Sequence, residues 1–538
     1  MESKMKIRTN TRRLTLALTA AISLLAGAEA SFAQRHAPAS DGVSASQLSA
    51  IDKAGIEKSL SEELQKTSTK VAKVPGQKKF NMSARLSPQK SLLVIDLGKD
   101  AIPDQNGADF EEQCDLFIET ARPLLVGIVS VESYRCTFGG KEITFYHPET
   151  SVPQKKRLIT PSQEDPLPLV MLSAGHGIYL DYPTGKPAEW ILQRPEPFNG
   201  IYEDLITPGY VSEVNSALTA RGAQVSTVLT RSESTATHTP SGEPWWKIAS
   251  RYYLQELLPD HGADIWATLP YDKSKLRERN EDIRARPFYA NYLGVDYMVS
   301  IHTNGAENTT SDGTTGWYHD GAYAAPSRQL TNNILCSMKE VIQANPTYAN
   351  WKVDTVARGV TNKGENTYAK LPATIIEVGF HTNVKDATAL KDPTFRTLAA
   401  KGIAKGIDIN KDGKTCSTFK IDSIPTVTGP IGTPFDYKVN YSGNPTFPVV
   451  MHFETVKCAS GWTCGSGTRT TSSGASPLTF QINCTGSNPT AGTFVAKRWL
   501  VDAHGIKTAP VEHTYTCAPP SSMKARPSDA PFVPNVAS

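Results

Sequence analysis

The stretch LPLVMLSAGHG, residues 167–177, decides the fold. Its short apolar run reads as a strand buried on both faces, and it ends on a histidine held between two glycines. Two later stretches repeat that form: DYMVSI (296–301) runs into His302-Thr303-Asn304, and ATIIEVGF (373–380) carries Glu377 inside its apolar run. Val225–Leu229 and Asp264–Leu269 read as further strands. Helical patterns fill the intervals: Tyr210–Arg221, Trp246–Leu258, Ser327–Ala344, and a last helix with Asp392 as N-cap and Pro393 in its first turn. This alternation over 167–411 predicts an α/β domain, a largely parallel sheet with helices on both faces.

Upstream, residues 91–150 read as a small α+β region: a strand at Leu92–Leu97, a helix at Asp109–Val126, and a hairpin in TFGGKEITFYH (137–147) around Gly139-Gly140. Residues 34–90 hold too little apolar mass for a core. Leu48, Ile51, Ile56 and Leu60 form one weak helical face there, and the segment reads as a linker with a transient helix. The polar stretch 151–165 reads as a connector. Downstream, FDYKVNY, FPVVMHF, LTFQINC and GTFVAKRWLVDA predict an all-β sandwich over 417–517, followed by a Pro- and Ser-rich disordered tail, 518–538.

The 538 residues include 56 Lys plus Arg against 53 Asp plus Glu, a formal charge of +3. Residues 1–33 alone carry that +3, from Lys4, Lys6, Arg8, Arg12 and Arg13 against Glu2 and Glu29. The rest is neutral, which argues against a nucleic-acid partner, since that mode needs a concentrated phosphate-neutralising surface. The same residues 1–33 run from a basic start through the apolar Leu14–Ala28 to small residues, the form of a signal peptide cleaved after Ala30 or Ala33. The apolar run is shorter than the roughly 20 residues that cross a bilayer, so no transmembrane segment is expected. Eight cysteines, an even number in an exported chain, read as disulfides. Local pairing predicts Cys114–Cys136, Cys336–Cys416 and two bridges among Cys458, Cys464, Cys484 and Cys517.

Two imidazoles and a carboxylate gathered at strand ends are what a catalytic zinc site uses, with an open position for water and a further carboxylate to take its proton. Glycines on either side of His176 allow a sharp turn and leave space for a ligand. A histidine at a strand end is more often a hydrogen-bonded turn residue, and pattern alone leaves both readings open.

The order and wording of the segments go further. They include Ser173-Ala-Gly-His-Gly-Ile178, Glu203 at the head of a helix, a Gly-x-x-Val and Thr-Arg run up to Arg231, and Arg286 with Ala290 and Asn291. Ser300-Ile-His-Thr-Asn304, Gly316-Trp-Tyr318, Ala357-Arg-Gly-Val360 and Glu377-Val-Gly-Phe-His-Thr-Asn383 follow in turn. Together they resemble the zinc-dependent N-acetylmuramoyl-L-alanine amidases of bacterial cell-wall remodelling and phage lysis, over about residues 167–410. Ser173 and Ile178 stand where that family commonly has Asp and Gly. Glu203 follows His176 at a wider spacing than usual, with Glu189 and Glu196 in the same loop.

The resemblance implies a zinc hydrolase in which His176, Glu203 and His302 hold Zn²⁺ and Glu377 is the catalytic base. Arg286 orients substrate or packs the strand ends, Glu377 itself could pair with Arg358 or Arg286, and His381, Asn304 and Arg358 are candidates to support the site from behind. The implied substrate is the amide between the lactyl group of N-acetylmuramic acid and L-alanine of the stem peptide, so the partner is peptidoglycan, in the periplasm or at the cell exterior. The alternatives are a non-catalytic peptidoglycan-binding protein on the same scaffold, and a zinc amidase or peptidase acting on another amide. Some family members carry an inserted helix that covers the zinc until an activating protein partner displaces it; 236–280 and 178–202 are the candidates for such gating. Trp245, Trp246, Tyr252 and Tyr253 either line a groove or bury a helix. Trp462 and Trp499 either contact a ligand or fill the sandwich core.

Overall fold

The computed structural model describes residues 42–87, 91–148, 167–220, 225–485 and 490–519. The expected signal peptide, the connector 151–165 and the tail beyond 519 lie outside the described residues. Nine strands make one sheet: β1 (Ser83–Ser87), β2 (Leu92–Asp96), β3 (Ser133–Thr137), β4 (Leu169–Ala174), β5 (Ser226–Leu229), β6 (Tyr297–Asn304), β7 (Thr315–His319), β8 (Arg358–Val360) and β9 (Ala373–Phe380). Their order is β1-β2-β3-β8-β7-β9-β6-β4-β5. The sheet is mixed: β1 with β2 and β7 with β9 pair antiparallel, and the other joints are parallel. The reversal at β7 has a local cause. Only residues 305–314 separate it from β6, and a parallel return needs a crossover of about a dozen residues or more.

The helices of eight or more residues are α1 (Ala50–Ser68), α2 (Ala108–Ala121), α3 (Glu203–Thr219), α4 (Ser250–Leu257), α5 (Arg277–Leu293), α6 (Ala324–Gln343), α7 (Val384–Lys391) and α8 (Pro393–Lys411). Alternate strand residues face opposite layers. Val170, Leu172, Val299, Ile301, Ile376 and Val378 pack with α3, α6 and α8. On the other face Met171, Met298 and Ala373 pack with α4 and α5, and Leu93, Ile95 and Ile375 with α1 and α2.

Four elements differ from the sequence-based expectation. Residues 83–137 form no separate unit: β3 pairs with β8 through Ser133 and Gly359, so the N-terminal strands prolong the α/β sheet. A Cβ on Gly359 would lie 2.7 Å from Ser133 Oγ, which is why this joint needs glycine. The expected linker holds the ordered α1. Its apolar face is small, with Leu60 and Leu64 buried. Its polar side chains complete it: Glu57, Ser61 and Gln65, one turn apart, accept the N–H groups of Leu86 (2.7 Å), Ala84 (2.9 Å) and Met82 (3.0 Å). The helix thus satisfies the open edge of β1, which would otherwise invite pairing with another chain. The expected strand at Asp264–Leu269 is instead a wide helical turn, Gly262–Trp266, with Ile265 buried against α5; a short apolar run does not distinguish the two by periodicity. The 137–147 hairpin is reduced to one bridge, Phe138 with Lys141, before a helical turn at Ile143–Tyr146.

Residues 420–518 form a three-stranded and a five-stranded β-sheet around one core that includes Tyr437, Met451, Phe480, Phe494 and Leu500. Trp462 packs edge-on to Phe494, and Trp499 stacks on His452 under the Lys507 ammonium. Trp190, Trp245 and Tyr252 pack the insert onto the hairpin of Ile178–Asp181 and Glu189–Leu192. The disulfides are Cys114–Cys136, Cys336–Cys416, Cys458–Cys464 and Cys484–Cys517, the first two as the spacing predicts. Among the described residues no helix is long and apolar enough to cross a membrane.

Candidate metal centre

β4, β6 and β9 end side by side. His302 and Glu377 are register partners on parallel neighbours, so both side chains leave the sheet on the same face. His176 follows β4 with a φ of 59°, a left-handed backbone that a histidine rarely adopts. The crowding around it explains the flanking glycines. A Cβ on Gly175 would stand 2.5 Å from the His302 ring, and one on Gly177 2.8 Å from the Ala249 backbone.

Glu203 opens α3, whose interior Pro208 deprives the Asp204 carbonyl of its helical donor. The buried Arg231 guanidinium replaces that donor at 3.3 Å and also donates to the carbonyls of Gly175 and His176, each at 3.2 Å. Thr207 Oγ1 donates to the Gly175 carbonyl at 2.9 Å. The Asp204 carboxylate accepts from the N–H groups of Gly177 (2.9 Å), Gln193 (2.8 Å) and Arg194 (3.0 Å). One helix start therefore fixes both the His176 turn and Glu203.

His176, Glu203 and His302 each offer one ligand atom, and these atoms all lie within 4.8 Å of one another. Glu203 Oε2 is 3.4 Å from His176 Nε2, and Glu203 Oε1 is 3.2 Å from His302 Nδ1. Burial opposes ionisation of Glu203, but the two histidines hold its carboxyl well below the usual carboxylate range. A buried carboxylate between two imidazoles at the end of an open cleft is consistent with a metal-binding site.

Glu377 lines the same cleft, a cavity of about 370 Å³. Burial pushes its carboxyl up to about 7 against the pull of Lys363 and His302. Its cation is Lys363, with Nζ 3.7 Å from Oε1. Arg358 is spent elsewhere, on Asp354 (2.7 Å) and Tyr134 Oη (2.8 Å), and does not reach the site. Arg286 is wholly buried. It pairs with Asp282 and Glu365 and donates to the His176 carbonyl at 3.2 Å, so it packs beneath the His176–Glu203–His302 cluster rather than facing the cleft. Asn304 donates to Glu119 Oε1 at 3.3 Å, and His381 Nδ1 is 2.9 Å from Thr303 Oγ1; both line the cleft.

Sequence reading passed over Lys363 and Glu365, which stand at the start of a short helical turn, Gly364–Thr367, before β9. Glu365 Oε1 lies 3.1 Å from His302 Nε2, the nitrogen turned away from Glu203. Despite burial, Arg286 and His302 hold the Glu365 carboxyl far below its ordinary range. Such an outer carboxylate fixes the tautomer and ring orientation of a ligand histidine. The only signal it left in the sequence is a carboxylate in the loop that leads to the Glu377 strand.

Residues 170–409 match the family model described as N-acetylmuramoyl-L-alanine amidase. This segment belongs to the N-acetylmuramoyl-L-alanine amidase superfamily. Among curated proteins it is similar to N-acetylmuramoyl-L-alanine amidase LytC of Bacillus subtilis, 30% identical over 111 residues, which is 21% of this chain and 21% of that protein. It is also similar to the germination-specific N-acetylmuramoyl-L-alanine amidase of the same organism, 25% identical over 171 residues, 29% of this chain and 65% of that one. The chain thus spans 21% of the first relative's length and less than two thirds of the second's. Among solved structures, the catalytic domain of the amidase CwlV from Bacillus (Paenibacillus) polymyxa var. colistinus is 20% identical, with 46% of this chain and 99% of that one covered and a TM-score of 0.30.

One wall of the cleft comes from outside the amidase segment: Ala108, Glu111, Glu112, Asp115 and Leu116 of α2 line it. From the 178–202 loop, Arg194 and Phe198 line it, and Arg194 binds Glu112 across it at 2.5 Å. None of the described lining residues comes from 236–280.

Proposed function

We propose that the protein is an exported zinc hydrolase that cleaves the amide between the lactyl group of N-acetylmuramic acid and the first L-alanine of the peptidoglycan stem peptide. The observation that carries this is the convergence of His176, Glu203 and His302 with Glu377 in one cleft, Glu377 keeping Oε2 free of any hydrogen-bond partner. The donor set suits zinc, two imidazoles and a carboxylate with the open side toward the cleft. Zinc bound by these three residues would lower the pKa of a water and polarise the scissile carbonyl.

The chain's own groups do the rest. Glu377 accepts a proton on its carboxylate and returns it to the leaving alanine nitrogen, a role that an elevated carboxyl pKa favours near neutrality. Glu365 holds the His302 ring in place. Asn304 and His381 line the cleft as buried residues, held by Glu119 and Thr303. The disulfides agree with an oxidising compartment outside the cytoplasm.

Mass spectrometry of digested peptidoglycan tests the bond: the products are intact stem peptides with free L-alanine amino groups, and sugars with free lactyl carboxylates. Glu377→Gln retains its zinc and loses at least about a hundredfold in turnover. A fully active Glu377→Gln enzyme removes Glu377 as the base. Cleavage within the stem makes the protein a peptidase. Binding of peptidoglycan with no cleavage and no zinc makes it a wall-binding scaffold.

A further inference from the structure

We propose that Lys363 is a positioning residue for Glu377, and that α2, from outside the amidase segment, holds it in place through Asp115. The inference rests on the hydrolase reading above. The Lys363 ammonium lies 2.6 Å from Asp115 Oδ2 and 3.7 Å from Glu377 Oε1, and it stands 5.3 Å from the centre of the Trp317 ring. Both Lys363 and Glu377 are buried, at 8% and 5% exposure. A buried ammonium is stable only when paired, and here the two carboxylates that pair it come from opposite walls of the cleft, α2 and β9.

The backbone is tied to the same helix. Glu111 Oε2 accepts the Gly364 N–H at 3.1 Å, so α2 grips the loop at two successive residues. α2 is itself held from both ends: Arg279 on α5 donates to Asp109 at 3.0 Å, and Asn304 at the end of β6 donates to Glu119.

The consequence falls on Glu377. One oxygen, Oε1, is drawn toward a fixed cation, while Oε2 is buried with no hydrogen-bond partner. A fixed cation beside one oxygen limits the orientations the carboxylate can adopt, and such preorganisation raises the fraction of encounters in which a proton can be passed. Lys363 acts through Glu377 and touches no reacting atom. The N-terminal region is thereby part of the working site.

The test uses the full chain with a soluble muropeptide substrate, metal analysis and thermal melts. Lys363→Met should lower kcat about 30-fold with KM within about twofold, bound metal unchanged, and Lys363→Arg should recover most of the loss. Asp115→Asn should lower kcat about fivefold by itself and cost nothing further in the Lys363→Met background, because it acts through that lysine. Wild-type kcat in Lys363→Met overturns the inference and leaves the hydrolase reading standing. Additive losses in the double variant overturn the link to α2. If Lys363→Met does not fold, wild-type kcat in Asp115→Asn, with an unchanged pH profile, overturns it instead. A wild-type chain that turns over no muropeptide overturns both readings.

Discussion

The N-terminal and C-terminal additions are attached to the amidase segment by different physics. Residues 42–148 join through main-chain hydrogen bonds, β3 against β8, and so continue the layer that carries His302 and Glu377. Their helix α2 comes to lie on the face of the sheet to which those two side chains point, and it becomes a wall of the cleft. Residues 417–519 join through side chains. Cys336 on α6 bonds Cys416, and the buried Lys405 on α8 sits between Glu340 (3.2 Å) and Asp502 (3.7 Å). Those helices cover the opposite face, so the β-sheets hang behind the site and supply none of its described lining. A sheet extension shares the site's geometry, whereas a unit fastened behind the helices leaves it alone.

That contrast can be broken at each joint. The largest effect is expected at the N-terminal one: Gly359→Val forces a side chain against Ser133 and Tyr318 and should cost about 3 kcal/mol, with at least about tenfold in turnover as α2 loosens. Melting curves and muropeptide assays on the same samples check both numbers. Replacing Cys336 and Cys416 with serine should cost about 2 kcal/mol of thermal stability and leave turnover within about twofold. A large loss of turnover there would mean that the C-terminal unit reaches the site after all. Ser61→Ala removes the acceptor of the Ala84 N–H at the β1 edge and should cost about 1 kcal/mol in urea unfolding.

A further effect is a pH dependence confined to the C-terminal unit. His513 lies among Arg498, Tyr437, Tyr515 and the Pro425 carbonyl; burial, then Arg498, lowers its pKa from 6.5 to about 4. The folded unit keeps the ring neutral while the unfolded chain takes a proton. Its contribution is therefore whole above pH about 6.5 and is lost as pH falls toward about 4. His513→Gln should flatten this part of the stability profile, read by thermal melts between pH 7 and 4.

Much of the cleft was legible in the chain. Apolar runs ending in Gly-His-Gly and in His-Thr-Asn, and a third run carrying Glu377, marked three strands whose ends do meet. Glu203 was legible only through its place at a helix start within the ordered motifs. Glu365 and Lys363 were not legible, because nothing local marks them. Glu365 depends on Arg286 and His302 arriving from other elements, and Lys363 on an aspartate 248 positions earlier. α1 was undervalued for a related reason: its polar side chains at one-turn spacing look like a solvated face until a strand edge is set against them.

The sequence by itself therefore determined the α/β alternation, the two local disulfides and the four side chains that converge in the cleft. The alternation and the disulfides follow from strand length and cysteine spacing, and the four side chains from the resemblance of the ordered motifs that carry them. Only the tertiary structure decided that the N-terminal strands share the sheet and that α2 walls the cleft. It also decided that Lys363 rather than an arginine faces Glu377. Edge pairing and buried ion pairs are contacts between distant segments, set by which surfaces remain open once each element has formed, and no local spacing encodes them.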